Sequence, residues 1–425
     1  MSVGQEMYSL CEKLFPICRS ITGDGVRQTL RILQEVVPEI NVYEVPSGTK
    51  VFDWIIPKEW HINDGWIKNS KGEKIVDFNE QNLHVVGYST PVNKKVNLEE
   101  LKKYLYTQPD QSNAIPYVTS YYKEGYGFCI TQEQYDSLQE DVYHMYIDSE
   151  LLLGYLSYGE LIIPGESEKE VLLSTYVCHP SMANNELSGP ALSVYLAKWL
   201  MSLPRRKYTY RLIYVPETIG SLAYMSMSNN LEIMKRNTIA GWNLSCVGDD
   251  RTYSYVQTRY GDTLTDKVTK NVLSFEYPEY KEYAFLKRGS DERQYNAPGI
   301  DLPVCGFSRS KYGEYPEYHT SKDDMDLISP SGFQGAYNIM RQCIIALEYN
   351  DKYKINCLGE PQLGRRGLYP NVSRKGNYNE VMSMMNFIAY ADGRNDLIDI
   401  SNIIGVPVRE LIPILENLTK ANLLF

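Results

Sequence analysis

A histidine and an acidic side chain lie seven residues apart in the stretch VLLSTYVCHPSMANNELSG, residues 171–189. The apolar run 171–177 is typical of a buried strand, and Pro180 must end it because proline has no backbone N–H. A polar loop and a helical pattern follow. His179 and Glu186 are therefore expected at the carboxyl end of a strand, where ligands collect in open α/β sheets. The spacing suits a metal site, and it suits a local hydrogen bond with helix capping equally well.

Later strand patterns in the same region also end in candidate ligands. Glu217 and Asp249 each follow an apolar run, and His319 lies in a loop with acidic residues nearby. The alternative for Glu217 is a charge that complements a helix dipole, and for Asp249 it is a turn-forming role. The chain has five histidines, and three of them lie in another region and are predicted to be structural: His61, His84 and His144.

Mixed imidazole and carboxylate ligands suit Zn²⁺, which polarises carbonyl groups and lowers the pKa of bound water to about 7. A carboxylate outside the ligand set would then act as general base. The candidate metal ligands are His179, Glu186, Glu217, Asp249 and His319.

The elements that must position these residues alternate between strand and helix patterns over 168–352, which predicts an α/β domain with a central mixed sheet flanked by helices. The predicted strands are 171–177, 208–215, 239–247 and 302–307. The predicted helices are 190–203, 221–234, 263–273 and 332–349. Short alternating runs separated by Pro, Gly, Asn and Asp over about 40–165 predict a β-rich insert.

Three domains are expected from these patterns. Residues 1–40 and 165–357 form the α/β domain, 41–164 form the inserted β-rich domain, and 375–425 form a C-terminal module. The module shows three helical patterns, 379–391, 397–404 and 408–418, with turns between them, which is typical of a winged helix. Its few basic residues favour protein contact or domain packing over DNA binding.

Composition narrows the function classes. The chain of 425 residues carries 53 acidic and 43 basic residues, and its net charge of −10 argues against a nucleic-acid backbone as the main partner. No apolar run reaches the length of a membrane span, and the first residues lack the pattern of a signal peptide, so the expected location is the cytoplasm. The eight cysteines contain no C-x-x-C pair and are expected to be free thiols.

The order of these motifs resembles the M28-type zinc aminopeptidases, with CHPSMANNELSGP, the Glu of PETIGS, Ser-Asp followed by Gly-Ile, and YPEYHTSKDD in sequence. The arrangement is similar to bacterial aminopeptidase-like proteins with a β-rich insert and a C-terminal winged helix, which are often associated with polysaccharide biosynthesis clusters. The resemblance implies a zinc-exopeptidase-like fold and covers most of the chain.

The resemblance implies one or two zinc ions, with His179 and His319 binding different ions of a pair. It makes Glu217 a metal ligand or the catalytic general base. This chain departs from the peptidases in three places: Asn185 stands where they have a metal-bridging Asp, Glu217 stands alone where they have paired Glu, and Ser245 stands at the third-strand Asp. Glu186 and Asp249 are the candidate substitutes as ligands, and Glu292 is the candidate substitute as base.

Two functions remain open from the sequence. The first is a metal-dependent aminopeptidase or related amide hydrolase, acting on a peptide or small amide that is either free or linked to a sugar. The second is a non-catalytic binding protein that holds a ligand on a peptidase scaffold and recruits a partner through its C-terminal module. Association into a homo-oligomer is compatible with either function, and a DNA-binding regulator ranks last.

Overall fold

The computed structural model of the protein describes residues 2–121, 123–368 and 377–425. The chain divides into two compact units. Unit 1 comprises Met1–Gly261 and Lys281–Tyr337, and unit 2 comprises Asp262–Tyr280 and Asn338–Phe425. The predicted start of the C-terminal domain, residue 375, lies outside the described residues.

The helices and strands are numbered in chain order. The α-helices are α1 (Val3–Leu14), α2 (Asp24–Val36), α3 (Leu98–Leu101), α4 (Gln132–Ser137), α5 (Ser188–Ser202), α6 (Ile219–Ser226), α7 (Asn230–Asn237), α8 (Leu264–Glu276), α9 (Glu292–Tyr295), α10 (Pro330–Tyr349), α11 (Asn377–Tyr390), α12 (Leu397–Ile404) and α13 (Val408–Lys420). The strands are β1 (Asn41–Pro46), β2 (Lys50–Val51), β3 (Trp54–Ile55), β4 (Glu59–Lys68), β5 (Lys74–Asp77), β6 (Val92–Asn97), β7 (Leu105–Tyr106), β8 (Phe128–Cys129), β9 (Val142–Leu152), β10 (Tyr155–Ile163), β11 (Ser167–Tyr176), β12 (Tyr208–Val215), β13 (Thr238–Leu244), β14 (Ser254–Val256), β15 (Lys281–Tyr283), β16 (Val304–Ser308), β17 (Lys352–Lys354) and β18 (Asp392–Asp396).

A mixed sheet forms the centre of unit 1. Its strand order is β1-β10-β12-β11-β13-β16-β14-β15. The four central strands β12, β11, β13 and β16 run parallel, whereas β10 and β14 pair antiparallel to them. Val171, Leu172 and Leu173 on β11 are fully buried, as expected for a parallel strand covered on both faces. The predicted fold class is confirmed.

Helices cover this sheet. Helix α5 packs on strands β10 to β13, and α1 and α2 pack on α5 in turn. Ile219 and Leu222 of α6 and Met234 of α7 join an apolar cluster with Leu172 and Ile213 of the sheet. The parallel strands therefore end together at one edge of a well-packed core.

The predicted helix 221–234 is two helices in the structure. Helix α6 ends at Ser226 and α7 begins at Asn230. Ser228 and Asn229 between them have φ of 51° and 62°. This left-handed conformation cannot continue an α-helix, and Asn tolerates it better than most residues do.

The insert has its own antiparallel sheet, in the order β5-β4-β9-β6, with an apolar cluster that includes Ile67, Met145 and Phe128. The first and last strands of the predicted insert, β1 and β10, belong to the central sheet instead. The separate sheet therefore occupies Glu59–Leu152.

Unit 2 contains the helices α11, α12 and α13 close to the predicted ranges. Strands β17 and β18 pair antiparallel, and Ile355 forms a bridge with Leu424. Among the helices that the structure describes, none combines the length and the apolar composition needed to span a bilayer.

The buried ion pair between β11 and β12 gives a prediction about stability. Arg211 donates two hydrogen bonds to Glu170, of 2.7 and 2.8 Å, and both side chains are only 7% exposed. We expect Arg211→Ala to lower the free energy of unfolding by about 3–5 kcal/mol, because it leaves Glu170 buried without its partner. Urea denaturation measures this change.

Arg205→Ala is the matched control, because Arg205 makes the same two-bond contact with Glu166 on the surface. Exposed pairs contribute little to stability, so this variant should unfold close to wild type. An equal loss of unfolding free energy in the two variants would show that burial does not make the Arg211–Glu170 pair more important than the surface pair.

Candidate metal centre

His179 lies just beyond the carboxyl end of β11 and is 5% exposed. Its backbone carbonyl accepts a 2.9 Å hydrogen bond from Arg19 Nε, and its Nδ1 lies 3.0 Å from Glu186 Oε2. A carboxylate can only accept a hydrogen bond, so Nδ1 must donate. This contact turns the other ring nitrogen, Nε2, away from Glu186 and leaves it available for a ligand.

Glu186 lies on a turn of π-helix, Ala183–Leu187, immediately before α5. Asp323 anchors this turn, because its carboxylate accepts the N–H groups of Asn184 at 2.6 Å and Asn185 at 3.0 Å. Glu186 Oε1 lies 3.6 Å from Arg19 Nε. The carboxylate of Glu186 is thus held between an imidazole and a guanidinium, which suits the orientation of His179 better than direct contact with a metal.

Glu217 follows β12 and reaches the Nε2 side of His179. Its Oε2 lies 3.7 Å from His179 Nε2, and its Oε1 accepts a 2.8 Å hydrogen bond from Ser290 Oγ. Its backbone N–H donates to Cys178 Sγ at 3.2 Å. The side chain is 23% exposed, so it is accessible at the site. Burial raises the pKa of Glu217, and His179 and Ser290 lower it by less.

His319 completes the group from a loop in the last third of unit 1. The centroid of its ring lies 5.3 Å from that of His179, and it stacks on Tyr318 at 3.9 Å. Its Nε2 is buried, and no residue in the described ranges forms a hydrogen bond with it. Burial and the neighbouring His179 lower the pKa of His319 to about 3, so the imidazole is neutral and Nε2 can bind a cation.

Asp249 takes part in a different network. Its carboxylate accepts hydrogen bonds from Asn184 Nδ2 at 3.0 Å and from Ser310 N and Oγ at 3.0 and 2.8 Å. These contacts make it a support for the π-helical turn. Glu292 is also committed elsewhere, because its carboxylate is fully buried and accepts hydrogen bonds from the N–H groups of Gly289 and Ser290.

Cys178, His179 and Glu186 have donor atoms within 4.8 Å of one another. This grouping is a poor cation site for two reasons. Burial raises the pKa of Cys178 to about 11, so its thiol stays protonated. The guanidinium of Arg19 also adds a positive charge beside Glu186.

A second set of side chains near His179 carries donor atoms of the kind that zinc binds. It comprises His179 Nε2, Glu217 Oε2 and the unpartnered His319 Nε2, and two imidazoles with one carboxylate are a combination that catalytic zinc sites use. These three donor atoms do not all lie within 4.8 Å of one another, so the side chains would have to draw together to hold an ion. Asn185 Oδ1 is a further buried oxygen with no hydrogen-bond partner in the described chain. Because an amide oxygen carries no charge, the set suits one ion better than two.

Arg19, Ser290 and Asp323 support the site. No sequence signal indicated Arg19, whereas Ser290 lies in the Ser-Asp motif and Asp323 is one of the acidic residues near His319. Asp323 follows His319 in the YHTSKDD string, so its proximity in sequence was a usable signal. Arg19 lies 160 residues before His179, and no spacing pattern connects the two.

The central sheet, its covering helices and His179 at the end of β11 define an aminopeptidase-like protein. The chain belongs to the family described as "Domain of unknown function (DUF4910)", whose sequence model matches residues 8–350. A winged helix-turn-helix family model matches residues 351–425, which confirms the predicted C-terminal module.

A protein of Clostridium acetobutylicum is 46% identical over 410 residues, which are 96% of this chain and 93% of that protein. Its name assigns it provisionally to polysaccharide biosynthesis and gives it an aminopeptidase-like domain. A crystal structure from C. acetobutylicum, described provisionally as a peptidase, is 44% identical, with a TM-score of 0.93 and coverage of 99% of this chain and 96% of that one.

BSAP, a zinc aminopeptidase from Bacillus subtilis, has the same fold with a TM-score of 0.59 at 13% identity, over 81% of this chain and 94% of that one. These comparisons confirm the predicted resemblance to zinc aminopeptidases and establish a peptidase-like scaffold.

The separate positions of Asp249 and Glu217 give a prediction. We expect Asp249→Ala to lower the free energy of unfolding by about 1–3 kcal/mol for each buried donor that loses its partner, and to weaken zinc binding much less than Glu217→Ala does. Glu217→Ala should weaken zinc binding strongly, because Glu217 faces His179 Nε2. It should lower the free energy of unfolding less than Asp249→Ala does, because Glu217 is partly exposed.

Isothermal titration with zinc and urea denaturation of both variants provide the comparison. A loss of zinc affinity in Asp249→Ala as large as that in Glu217→Ala would show that Asp249 belongs to the ligand set.

Proposed function

We propose that the protein is a zinc-dependent aminopeptidase or a related amide hydrolase that binds one zinc ion through His179, Glu217 and His319. The observation that supports this proposal most strongly is the unpartnered, buried Nε2 of His319, whose ring lies 5.3 Å from that of His179. A buried polar atom without a partner is costly and calls for a missing ligand.

The residues of the chain have distinct roles in this proposal. Glu186 fixes the imidazole of His179, and Arg19 balances the buried charge of Glu186. Ser290 holds one oxygen of Glu217 and leaves the other directed at His179. When bound, zinc supplies a Lewis acid that polarises an amide carbonyl and activates water.

We propose Glu217 as a zinc ligand and not as the proton acceptor, because Ser290 Oγ bonds its Oε1 and its Oε2 faces His179 Nε2. Within the described residues, Asp291 and Glu292 also lie close by, but both are fully buried. The partly exposed edge of Glu217 is therefore the surface on which a substrate amide can approach the metal position.

The substrate that we propose is a peptide or small amide. The Clostridium relative is named for polysaccharide biosynthesis, which supports an amide carried on a sugar as one form of substrate. The unit 2 winged helix is proposed to contact protein, because Arg409 on α13 pairs with Glu276 and Glu410 instead of projecting as a free positive charge.

Activity measurements test the proposed reaction. We expect zinc-loaded protein to release N-terminal residues or cleave small amides, and chelator to stop the reaction. His179→Ala should reduce turnover below detection, because it removes a proposed ligand. His84→Ala is the matched control, since His84 is buried to the same extent, at 5% exposure, but lies in the insert.

Retention of turnover by His179→Ala, or an equal loss in His84→Ala with the fold intact, would contradict a role for His179 at the reacting centre. A wild-type protein that binds zinc tightly but turns over no amide would instead favour the second candidate function, a binding protein on a peptidase scaffold. Asn185 in place of a bridging carboxylate is the observation that favours this alternative.

Asn185→Asp tests the number of metal ions. In the metal-free protein, the new carboxylate would lie buried in the turn that Asp323 anchors, so we expect a lower melting temperature than that of wild type. Excess zinc should reverse the loss and raise the bound metal from one ion to two per chain. Melting temperature and metal analysis measure both effects. A variant that still binds one ion would show that Asn185 does not face the metal position.

A further inference from the structure

A segment of the insert, residues 111–121, crosses onto the loop that carries His319. We call it the bridging segment. Tyr117 N donates a 2.9 Å hydrogen bond to the carbonyl of His319 itself. Ser321 exchanges two more bonds with Ile115, from Ser321 N to Ile115 O at 2.9 Å and from Ile115 N to Ser321 Oγ at 3.0 Å. The insert thus fixes the backbone at His319 and at Ser321, two residues after it.

His319 needs this support because its φ is 56°, in the left-handed region that a residue with a Cβ rarely adopts. Such a conformation costs on the order of 1–3 kcal/mol and persists only where surrounding contacts hold it. The hydrogen bond from Tyr117 acts on the carbonyl of that same residue. The bridging segment therefore stabilises the conformation that directs the His319 ring inwards.

The insert also holds the His179 loop. Met182 on that loop packs in an apolar cluster with Leu83 and Ile115 of the insert. Asn82 Nδ2 donates a 2.8 Å hydrogen bond to Ser181 Oγ on the same loop. Both histidine loops are consequently attached to one inserted body and not only to the strands that precede them.

The ring of Tyr117 lies against both histidines. Its centroid is 5.3 Å from that of His179 and 5.1 Å from that of His319, and the two imidazoles are 5.3 Å apart. The three rings form a nearly equilateral triangle. The Tyr117 hydroxyl is 2.7 Å from that of Tyr121, so the ring cannot swing away without breaking this contact.

We propose that Tyr117 is a positioning residue that sets the spacing and orientation of the His179 and His319 imidazoles, and that the insert is thereby a structural part of the metal centre. This inference rests on the proposed function, because it assumes a cation between these two rings. This role of the insert follows neither from the central sheet nor from the names of the relatives.

Cobalt binding tests the proposal, because Co²⁺ replaces Zn²⁺ and its visible absorption reports coordination geometry. We expect Tyr117→Ala to weaken Co²⁺ affinity by about 10- to 100-fold, as for other residues that orient metal ligands, and to reduce the intense bands of a tetrahedral site. Tyr117→Phe keeps the ring and loses only the contact with the Tyr121 hydroxyl, so it should stay much closer to wild type in affinity and spectrum than Tyr117→Ala does.

Tyr126→Ala is the matched control. Tyr126 is a half-buried tyrosine of the same insert and stacks on Tyr104 at 4.6 Å, away from the histidines. It should bind Co²⁺ as wild type does. Tyr117→Leu preserves apolar volume without a planar ring, and it serves if the alanine variant does not fold. It should show the same loss of affinity.

Wild-type affinity and spectrum in a folded Tyr117→Ala or Tyr117→Leu variant would overturn the inference, and so would an equal loss in Tyr126→Ala. In both cases the proposed metal site would still be supported if wild type binds Co²⁺ and His179→Ala does not. A wild-type protein that binds no Co²⁺ would refute the proposed function and the role of Tyr117 together.

Discussion

The hydrogen bond between Glu186 and His179 is the constraint on which the rest of the site depends. It places a carboxylate in the interior, fully buried, and Arg19 compensates its charge from 3.6 Å away. Because Glu186 accepts the hydrogen bond from Nδ1, the His179 imidazole can bind a metal only through Nε2. Glu217 lies on that side, with Oε2 3.7 Å from His179 Nε2, so one buried contact decides which nitrogen of His179 can bind a cation.

Several distant parts of unit 1 converge to maintain this contact. The Arg19 side chain enters from the segment between α1 and α2 and bonds to the backbone of both Leu14 and His179. Asp323 holds the π-helical turn that carries Glu186. The parallel strands supply the common edge, whereas the helices, the turn and the insert supply the orientation. The arrangement is more specific than the fold alone, which the zinc aminopeptidase BSAP shares.

The sequence predicted the parts of the site that follow directly from strand ends. Apolar runs that stop at Pro180 or before Glu217 mark the carboxyl ends of parallel strands, and such ends must meet at one edge. The structure accordingly brings His179, Glu186 and Glu217 together. Asp249 follows its strand by five residues, and that distance allows the turn to direct its carboxylate to Ser310 instead. Hydrophobic periodicity carries no information about such a turn.

Contacts between distant segments could not be predicted in this way. Arg19 lies in the segment between α1 and α2 and Tyr117 lies in the insert, and neither has a spacing relation to a histidine. Strands β1 and β10 were predicted in the insert but belong to the central sheet. Their alternating pattern indicates a strand but does not show which sheet the strand extends. In the winged-helix unit, local signals sufficed, since the caps at Asp396 and Gly405 delimit α12 where the pattern placed it.

Anomalous diffraction at the zinc absorption edge, from crystals grown with zinc, locates the metal directly. We expect one anomalous peak per chain, in contact with His179 Nε2, Glu217 and His319 Nε2, with Glu186 still bonded to His179 Nδ1. A peak between Cys178 and Glu186, or no peak near either histidine, would contradict this expectation.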